Sequence, residues 1–329
     1  MSDPSRPVQG PARTIGVTPA DLDEAAAILV GGGLVAMPTE TVYGLAADAT
    51  NGRAIAAIYT AKGRPAFNPL ISHVASVAMA ETCGEITPLS RALIERFWPG
   101  PLTLVVRRLA DCPVSELATA GLPSIALRMP RHAAALGLIE RVGRPLAAPS
   151  ANRSESLSPT TARHVADSLG DRIGLILDGG PCEAGIESTI IALDGSGPVL
   201  LRPGAIARTE IESVAGALAS PEAKAGLLAP GMMRRHYAPD ATLRLNARDV
   251  REGEAFLAFG PPPIGVTPSL NLSDRGDIEE AAANLFAMLR RLDLQFGAIA
   301  VAEIPHRGVG EGINDRLHKG AAKKYLDGV

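Results

Sequence analysis

Residues 31–41, Gly31-Gly32-Gly33-Leu34-Val35-Ala36-Met37-Pro38-Thr39-Glu40-Thr41, decide how the chain folds. The glycines close a helical pattern, the apolar run 34–37 has the length of a short buried strand, and Pro38 opens a polar turn. Upstream, Thr18-Pro19-Ala20-Asp21 carries a helix-start signal, and Leu22, Ala25, Ala26, Leu29 and Val30 form one apolar stripe. Downstream, a second helical pattern covers about 53–62. Strand-like runs follow at 69–71, 102–106, 124–127, 146–148, 175–177 and 189–192, with helical patterns between several of them. Alternation of this kind predicts an α/β fold.

The composition shifts at about 206–239. A helical pattern near 210–218 gives way to Pro230-Gly231-Met232-Met233-Arg234-Arg235-His236-Tyr237-Ala238-Pro239, which reads as a linker. Beyond it, strands are expected at 243–245, 255–259 and 298–302. Between them Ile278, Ala282, Leu285, Leu289 and Leu292 recur at spacings of four and three, the mark of an amphipathic helix. This succession predicts a small Rossmann-like second domain. The expected organisation is a loose tail over 1–13, a larger α/β domain over 14–208, a linker over 209–240 and a small domain over 241–329.

A chain of 329 residues has room for two cores. With 46% hydrophobic and 20% charged residues it has the balance of a soluble globular protein. A net charge of −3 argues against a general polyanion binder, which needs a basic surface. Cys83, Cys112 and Cys182 are far apart and form no CxxC pair, so they predict neither zinc nor a redox site. The polar, proline-rich start has no apolar signal core, and no run of ~18 apolar residues suits a membrane span. A cytoplasmic protein without membrane contact is expected.

The chain has no GxxxxGK[ST] loop, HExxH, GxSxG or kinase signature, so any nucleotide site is non-standard. Gly308-Val309-Gly310-Glu311-Gly312 misses the GxGxxG spacing and reads as a loop. The chemistry concentrates elsewhere. Pro38-Thr39-Glu40-Thr41-Val42-Tyr43-Gly44-Leu45 places hydroxyls and a carboxylate just after a strand. Lys62-Gly63-Arg64-Pro65 sets two cations in a Gly/Pro turn, where a compact ammonium and a forked guanidinium can converge on one polyphosphate. Lys62 is also the only lysine before Lys224 in a chain that otherwise uses arginine. Pro149-Ser150-Ala151-Asn152 offers a hydroxyl and an amide with little bulk, and Leu201-Arg202-Pro203-Gly204 adds a guanidinium at a strand end. Each of these, taken alone, also fits an ordinary capped turn or solvated loop. No Ser–His–Asp arrangement is visible, and no carboxylate cluster argues for a protein-held metal.

Taken in order, PTETVYGL, KGRP, NPL, His73, WPGPLT, RMP, PSAN, EST and LRPG resemble the YrdC-type threonylcarbamoyl-AMP synthases, and 230–239 resembles the PGM…HYxP linker of their two-domain form. The resemblance runs from Thr18 to Val329. It implies a YrdC-like twisted mixed sheet with helices, a smaller Rossmann-like α/β domain, and a nucleotidyltransferase that makes threonylcarbamoyl-AMP and pyrophosphate from L-threonine, bicarbonate and ATP. A separate tRNA threonylcarbamoyl transferase complex would use the product for threonylcarbamoyladenosine. Carried over by motif position, Thr39, His73, Arg128 and Ser188 would bind threonine. Lys62, Arg64, Asn68, Thr119, Ser150, Asn152, Ser158 and Arg202 would surround ATP, with Lys62 and Arg64 carrying the catalysis. His236 and Tyr237 would reach back over the nucleotide, and Gly231 with its flanking prolines would let the linker act as a lid. Mg2+ would arrive with the ATP phosphates. The competing readings are an RNA-binding module of the translation machinery, which scarce aromatics and the acidic balance disfavour, and a carbamoyl-adenylate enzyme of hydrogenase maturation, for whose extra segments the chain has no room.

Overall fold

The computed structural model describes residues 11–193, 197–221 and 236–322. Ten strands form one mixed sheet: β1 (Arg13–Ile15), β2 (Val35–Met37), β3 (Gly44–Asp48), β4 (Ile71–His73), β5 (Leu102–Arg107), β6 (Ser124–Arg128), β7 (Leu146–Ala147), β8 (Leu175–Leu177), β9 (Thr189–Leu193) and β10 (Pro198–Arg202). Their order in space is β1-β8-β2-β3-β7-β4-β6-β5-β9-β10. Neighbours β4 and β6 are parallel, as are β5 and β9, while β3–β7, β7–β4, β6–β5 and β9–β10 are antiparallel.

Local chemistry sets the helix ends. Thr18 caps the helix Pro19–Val30 in a reciprocal box: its hydroxyl accepts from the Asp21 amide, and Asp21 Oδ2 accepts from the Thr18 amide at 2.9 Å. Asn51 accepts from the amides of Arg53 and Ala54 to start the helix Gly52–Lys62. Gly63, at φ 62°, takes the left-handed conformation that ends it, so Lys62 is its last residue.

Register sorts the side chains between two faces, because residues directly opposite each other share a side. Leu104 and Leu127 are partners, and they sit with Leu45, Ile58, Leu93 and Ile191 in the largest core, on the face covered by the helices Gly52–Lys62 and Pro88–Phe97. On the opposite face His73 pairs with Arg128 and with Leu146. Leu146 belongs to a second core that the helices Pro19–Val30 and Ala133–Val142 build over the β8-β2-β3-β7 half of the sheet. Across the β4-β6-β5-β9-β10 half these helices do not extend. There the face carries a small apolar patch of Ile71, Val105, Ala126, Ile190, Ala192 and Leu201, and it is the part of the sheet left for a ligand.

A second sheet, β11 (Thr242–Arg244), β12 (Glu254–Ala258), β13 (Leu270–Asn271) and β14 (Ala298–Val301), is parallel throughout in the order β11-β14-β12-β13. The helix Ile278–Asp293 buries Ala281, Ala282, Leu285, Phe286, Leu289 and Leu292 against it. This core also takes in Val42, Leu157 and Ile186 from the first unit, so the two units share apolar contact. The expected fold class, a mixed α/β sheet with a smaller parallel α/β unit, is the one found.

Several local expectations change. Residues 308–312 are not all loop, since the helix Gly310–Ala321 begins among them. Their glycines serve close packing: a Cβ on Gly310 would lie 2.1 Å from the Pro305 carbonyl oxygen, and one on Gly312 would lie 3.0 Å from that of Gly204. Residues 44–48, beyond the polar turn, form β3. The strand expected at 69–71 is shifted to Ile71–His73, Pro69 having no amide to donate. Of the tail expected over 1–13, Arg13 already belongs to β1, paired with Leu175. Most of that tail, and the linker residues 222–235 with Gly231, lie outside the described residues.

Candidate functional site

A small recess, partly open to solvent, lies on the uncovered face. It is lined by Thr39, Arg64, His73, Arg128, Ser150, Ser188, Arg202, His236 and Tyr237, all singled out from sequence, together with Thr41, Val42, Gly44, Glu187 and neighbouring apolar groups. The strand-end location expected for these residues is only partly right. His73 and Arg128 are final strand residues, but register turns them onto the face of the sheet rather than its rim.

One wall is cationic. Lys62 is buried, and its Nζ donates to the carbonyl oxygens of Ser150 at 2.5 Å and Asn152 at 2.6 Å. The lysine therefore lies behind the Ser150–Asn152 turn and holds its backbone. Burial, and then the nearby Arg64 charge, push its pKa well below the usual lysine value. Arg64 donates to the carbonyls of Asn68 (3.3 Å) and Pro69 (3.0 Å), and burial lowers its pKa to about 10. Among the described residues, no carboxylate pairs with either cation. Asn152 Nδ2 donates to the carbonyls of Arg153 and Ser156, both at 2.8 Å, so this side chain braces its own loop.

The opposite wall is small and polar. Thr39 Oγ1 donates to the Val42 carbonyl at 2.6 Å and accepts from the Thr41 amide. Arg128 Nη1 donates to Thr41 Oγ1 at 2.9 Å, and Nη2 forms an ion pair with Glu40 at 2.8 Å. His73, beside them, is held neutral: burial and the Arg128 charge lower its pKa to about 3. Ser188 Oγ lies 2.8 Å from Thr103 Oγ1 and 3.1 Å from Arg202 Nη2, and Arg202 also donates to the Ser188 carbonyl.

His236 and Tyr237 form the third side, with ring centroids 4.0 Å apart. Tyr237, at φ 59°, lies in the left-handed region that few L-residues adopt. Its ring packs 5.8 Å from Phe286 of the C-terminal unit. Burial, then the cations Arg64, Lys62 and Arg202, hold His236 well below the ordinary histidine pKa.

Not every expected residue lines the recess. Asn68 contributes its carbonyl to Arg64 and to the Tyr59 hydroxyl. The Ser158 hydroxyl donates to Glu187 Oε1, behind the lining. Thr119 borders a separate groove with Arg107, Arg108 and Glu116. Conversely, Glu40, Thr41, Glu187 and Arg316 shape the site and were not assigned from sequence. Glu40 and Glu187 sit inside the quoted motifs, as carboxylates in segments otherwise rich in hydroxyls. Arg316 falls on the apolar stripe Ile313–Leu317–Gly320, where a buried charge needs a partner.

An α/β sheet with a cation- and hydroxyl-lined recess on one face defines an anion-handling, small-molecule site. Comparison with known proteins makes this specific. A Sua5/YciO/YrdC family model, described as telomere recombination, matches residues 27–204. A model of the threonylcarbamoyl-AMP synthase C-terminal domain matches residues 206–322. The chain is 41% identical to the threonylcarbamoyl-AMP synthase of Pyrococcus abyssi, over 92% of this chain and 94% of the relative. It is 40% identical to that of Bacillus subtilis, over 92% and 93%. The solved Pyrococcus abyssi Sua5 in complex with L-threonine superposes with a TM-score of 0.85, at 38% identity, covering 95% of this chain and 98% of that one. The chain belongs to the two-domain threonylcarbamoyl-AMP synthase family and is an enzyme of that family.

Proposed function

We propose that the chain condenses L-threonine, bicarbonate and ATP into threonylcarbamoyl-AMP with release of pyrophosphate. The observation that carries this reading is a recess that joins a small polar subsite to a buried cation, Arg64, with a second buried cation, Lys62, just behind its lining, neither paired with a carboxylate among the described residues. Lys62 and Arg64 suit polyphosphate, while Thr39, His73, Arg128 and Ser188 suit an amino acid with a hydroxyl and a carboxylate. Arg202, Ser150, His236 and Tyr237 line the same recess and would take the rest of the nucleotide. Lys62, Asn152, Asn68 and Ser158 support this lining from behind.

The neutral threonine amine attacks the bicarbonate carbon, water leaves, and a carbamate forms. A carbamate oxygen then attacks the α-phosphorus as the bond to the β-phosphate oxygen breaks. The protein's part is orientation and charge stabilisation, with no covalent intermediate on a side chain. Neutral His73 places no second positive charge beside the amine. Mg2+ is taken to enter with the ATP phosphates. Glu187 of the recess is committed to Arg316, and Glu40, next to the lining residues Thr39 and Thr41, to Arg128. Among the described residues no group of three or more His, Cys, Asp or Glu side chains could hold a metal ion.

The product, a carbamoyl-phosphate mixed anhydride, would pass to a tRNA threonylcarbamoyl transferase complex in the cytoplasm. No helix among the described residues is long and apolar enough to cross a membrane. The test is pyrophosphate release from purified protein with ATP, Mg2+, L-threonine and bicarbonate, omitting each in turn. Release independent of threonine or of bicarbonate would reject the reading.

A further inference from the structure

Glu187 lines the recess beside Ser188, and its carboxylate is held by a residue of the other unit. Arg316, in the helix Gly310–Ala321, donates from Nε to Glu187 Oε2 at 2.9 Å and is only 1% exposed. Its Nη1 donates to the Pro203 carbonyl, one residue beyond Arg202, and to the Gly312 carbonyl at 3.3 Å. Its guanidinium carbon lies 5.3 Å from the centroid of the Tyr237 ring. Ser158 donates to the other Glu187 oxygen. Burial favours protonation of Glu187, but Arg316 and Arg202 outweigh it and keep the carboxyl below its ordinary pKa.

Holding the two units together does not require an arginine here. Arg208 and Glu311 already join them at 2.7 Å, about one-third exposed, and Arg290 donates to the Leu157 carbonyl at 2.8 Å. A fully buried guanidinium carries a far larger desolvation cost than a rim pair. Besides Asp315, at 3.2 Å, and Gly312 on its own helix, its contacts are Glu187, Pro203 and Tyr237, in or next to the recess lining. The backbone of the Glu187–Ser188 segment is held by the Ala205 amide, at 3.1 Å, and by Arg202. Its one charged side chain is held by Arg316 and Ser158.

We propose that Arg316 is a positioning residue for the threonine-activating reaction, acting through Glu187 to fix the Glu187–Ser188 segment against substrate. The C-terminal unit thereby completes a recess whose other walls come from the first. This rests on the reading of the recess as the threonylcarbamoyl-AMP site.

The experiment measures kcat and KM for threonine, at saturating ATP and bicarbonate, in the full chain and in R316K, E187Q, the E187Q/R316K double variant and E311A. R316K keeps the charge but loses the fork and the flat face over Tyr237. It is expected to melt cooperatively and to lower kcat/KM for threonine about ten-fold or more. The double variant is expected to be no worse than its worse parent, since a residue acting through Glu187 has no separate effect once Glu187 is altered. E311A, which loosens the surface tie alone, is expected to keep the parent kinetics. R316K kinetics within about two-fold of the parent, an additive double variant, or an equal loss in E311A would each overturn the proposal. Should R316K fail to fold, E187Q/R316Q, which removes both charges of the Glu187–Arg316 pair, is compared with E187Q alone: equal kinetics support the proposal and a further ~ten-fold loss overturns it. An unaltered chain without threonine-dependent release would remove the underlying reading and this proposal together. Normal release with unchanged R316K would remove the proposal alone.

Discussion

Glu40 and Arg128 form an ion pair at 2.8 Å with side chains only 3% and 4% exposed. Arg128 spends its other amino group on Thr41 and its Nε on the Gly100 carbonyl. The pair therefore fixes the 39–41 turn against the last residue of β6, and the threonine subsite proposed above would depend on it. Glu40→Gln leaves the guanidinium buried without its counter-charge. The expected loss is about 3–5 kcal/mol of stability, with a raised KM for threonine, read from urea unfolding and from steady-state kinetics. A variant with parental stability would show that Arg128 finds its partner elsewhere.

Lys62 behaves in the opposite way. Its ammonium is buried against carbonyls, with no carboxylate among the described residues to offset its desolvation. Lys62→Met is expected to hold or raise the melting temperature while cutting threonine-dependent pyrophosphate release by about 10²-fold or more. Arg64→Ala is expected to share the loss of turnover. Wild-type rates in both variants would dissociate this wall from the chemistry.

Two buried histidines make stability depend on pH. In the unfolded chain each titrates near its ordinary 6.5, whereas folding lowers His73 to about 3 and His236 well below 6.5. Between those values the unfolded chain binds protons that the folded chain refuses, so stability rises with pH. The contribution is complete above about pH 6.5 and is lost as pH falls toward the folded values, by up to roughly 1.4 kcal/mol per pH unit for each group. Urea midpoints at about pH 7.5 and 5.5 check this. The midpoint should fall on acidification, and fall less in His73→Gln.

Gly185 tests the contact between the units. At φ 68°, a Cβ there would lie 2.4 Å from Ala283 Cα in the helix Ile278–Asp293. Backbone faces it, so no flexible side chain can yield. Gly185→Ala is expected to cost about 1–3 kcal/mol, measured by denaturant unfolding. An unchanged midpoint would mean that the units separate freely at this point.

Much of this was legible in the chain. The helix Pro19–Val30 was announced by Thr18-Pro19 and a regular stripe, and Ile278–Asp293 by its spacing, because local periodicity and capping act over a few residues. The recess residues were legible as an ordered set of motifs. What they do was less so. Lys62 turned out to grip the Ser150–Asn152 backbone from behind, and Asn152 to brace its own loop, because a motif fixes residue type and not which side of a wall it occupies. Placement on the face of the sheet, rather than at strand ends, depends on the pairing of His73 with Arg128 and Leu146, residues 55 and 73 positions away. No local pattern carries that register. Arg316 lay 129 positions from Glu187, and neither announces the other.

The cationic wall has a consequence for the direction of the reaction. Lys62 and Arg64 repel each other, and among the described residues their side chains donate to carbonyl oxygens; a polyanion bound there would relieve that repulsion. On the proposed reading, pyrophosphate would relieve it as the triphosphate tail does, and the adenylate is then expected to run back to ATP when pyrophosphate accumulates. Net synthesis then depends on removal of pyrophosphate by another catalyst, and labelled pyrophosphate should exchange into ATP in a manner that requires threonine.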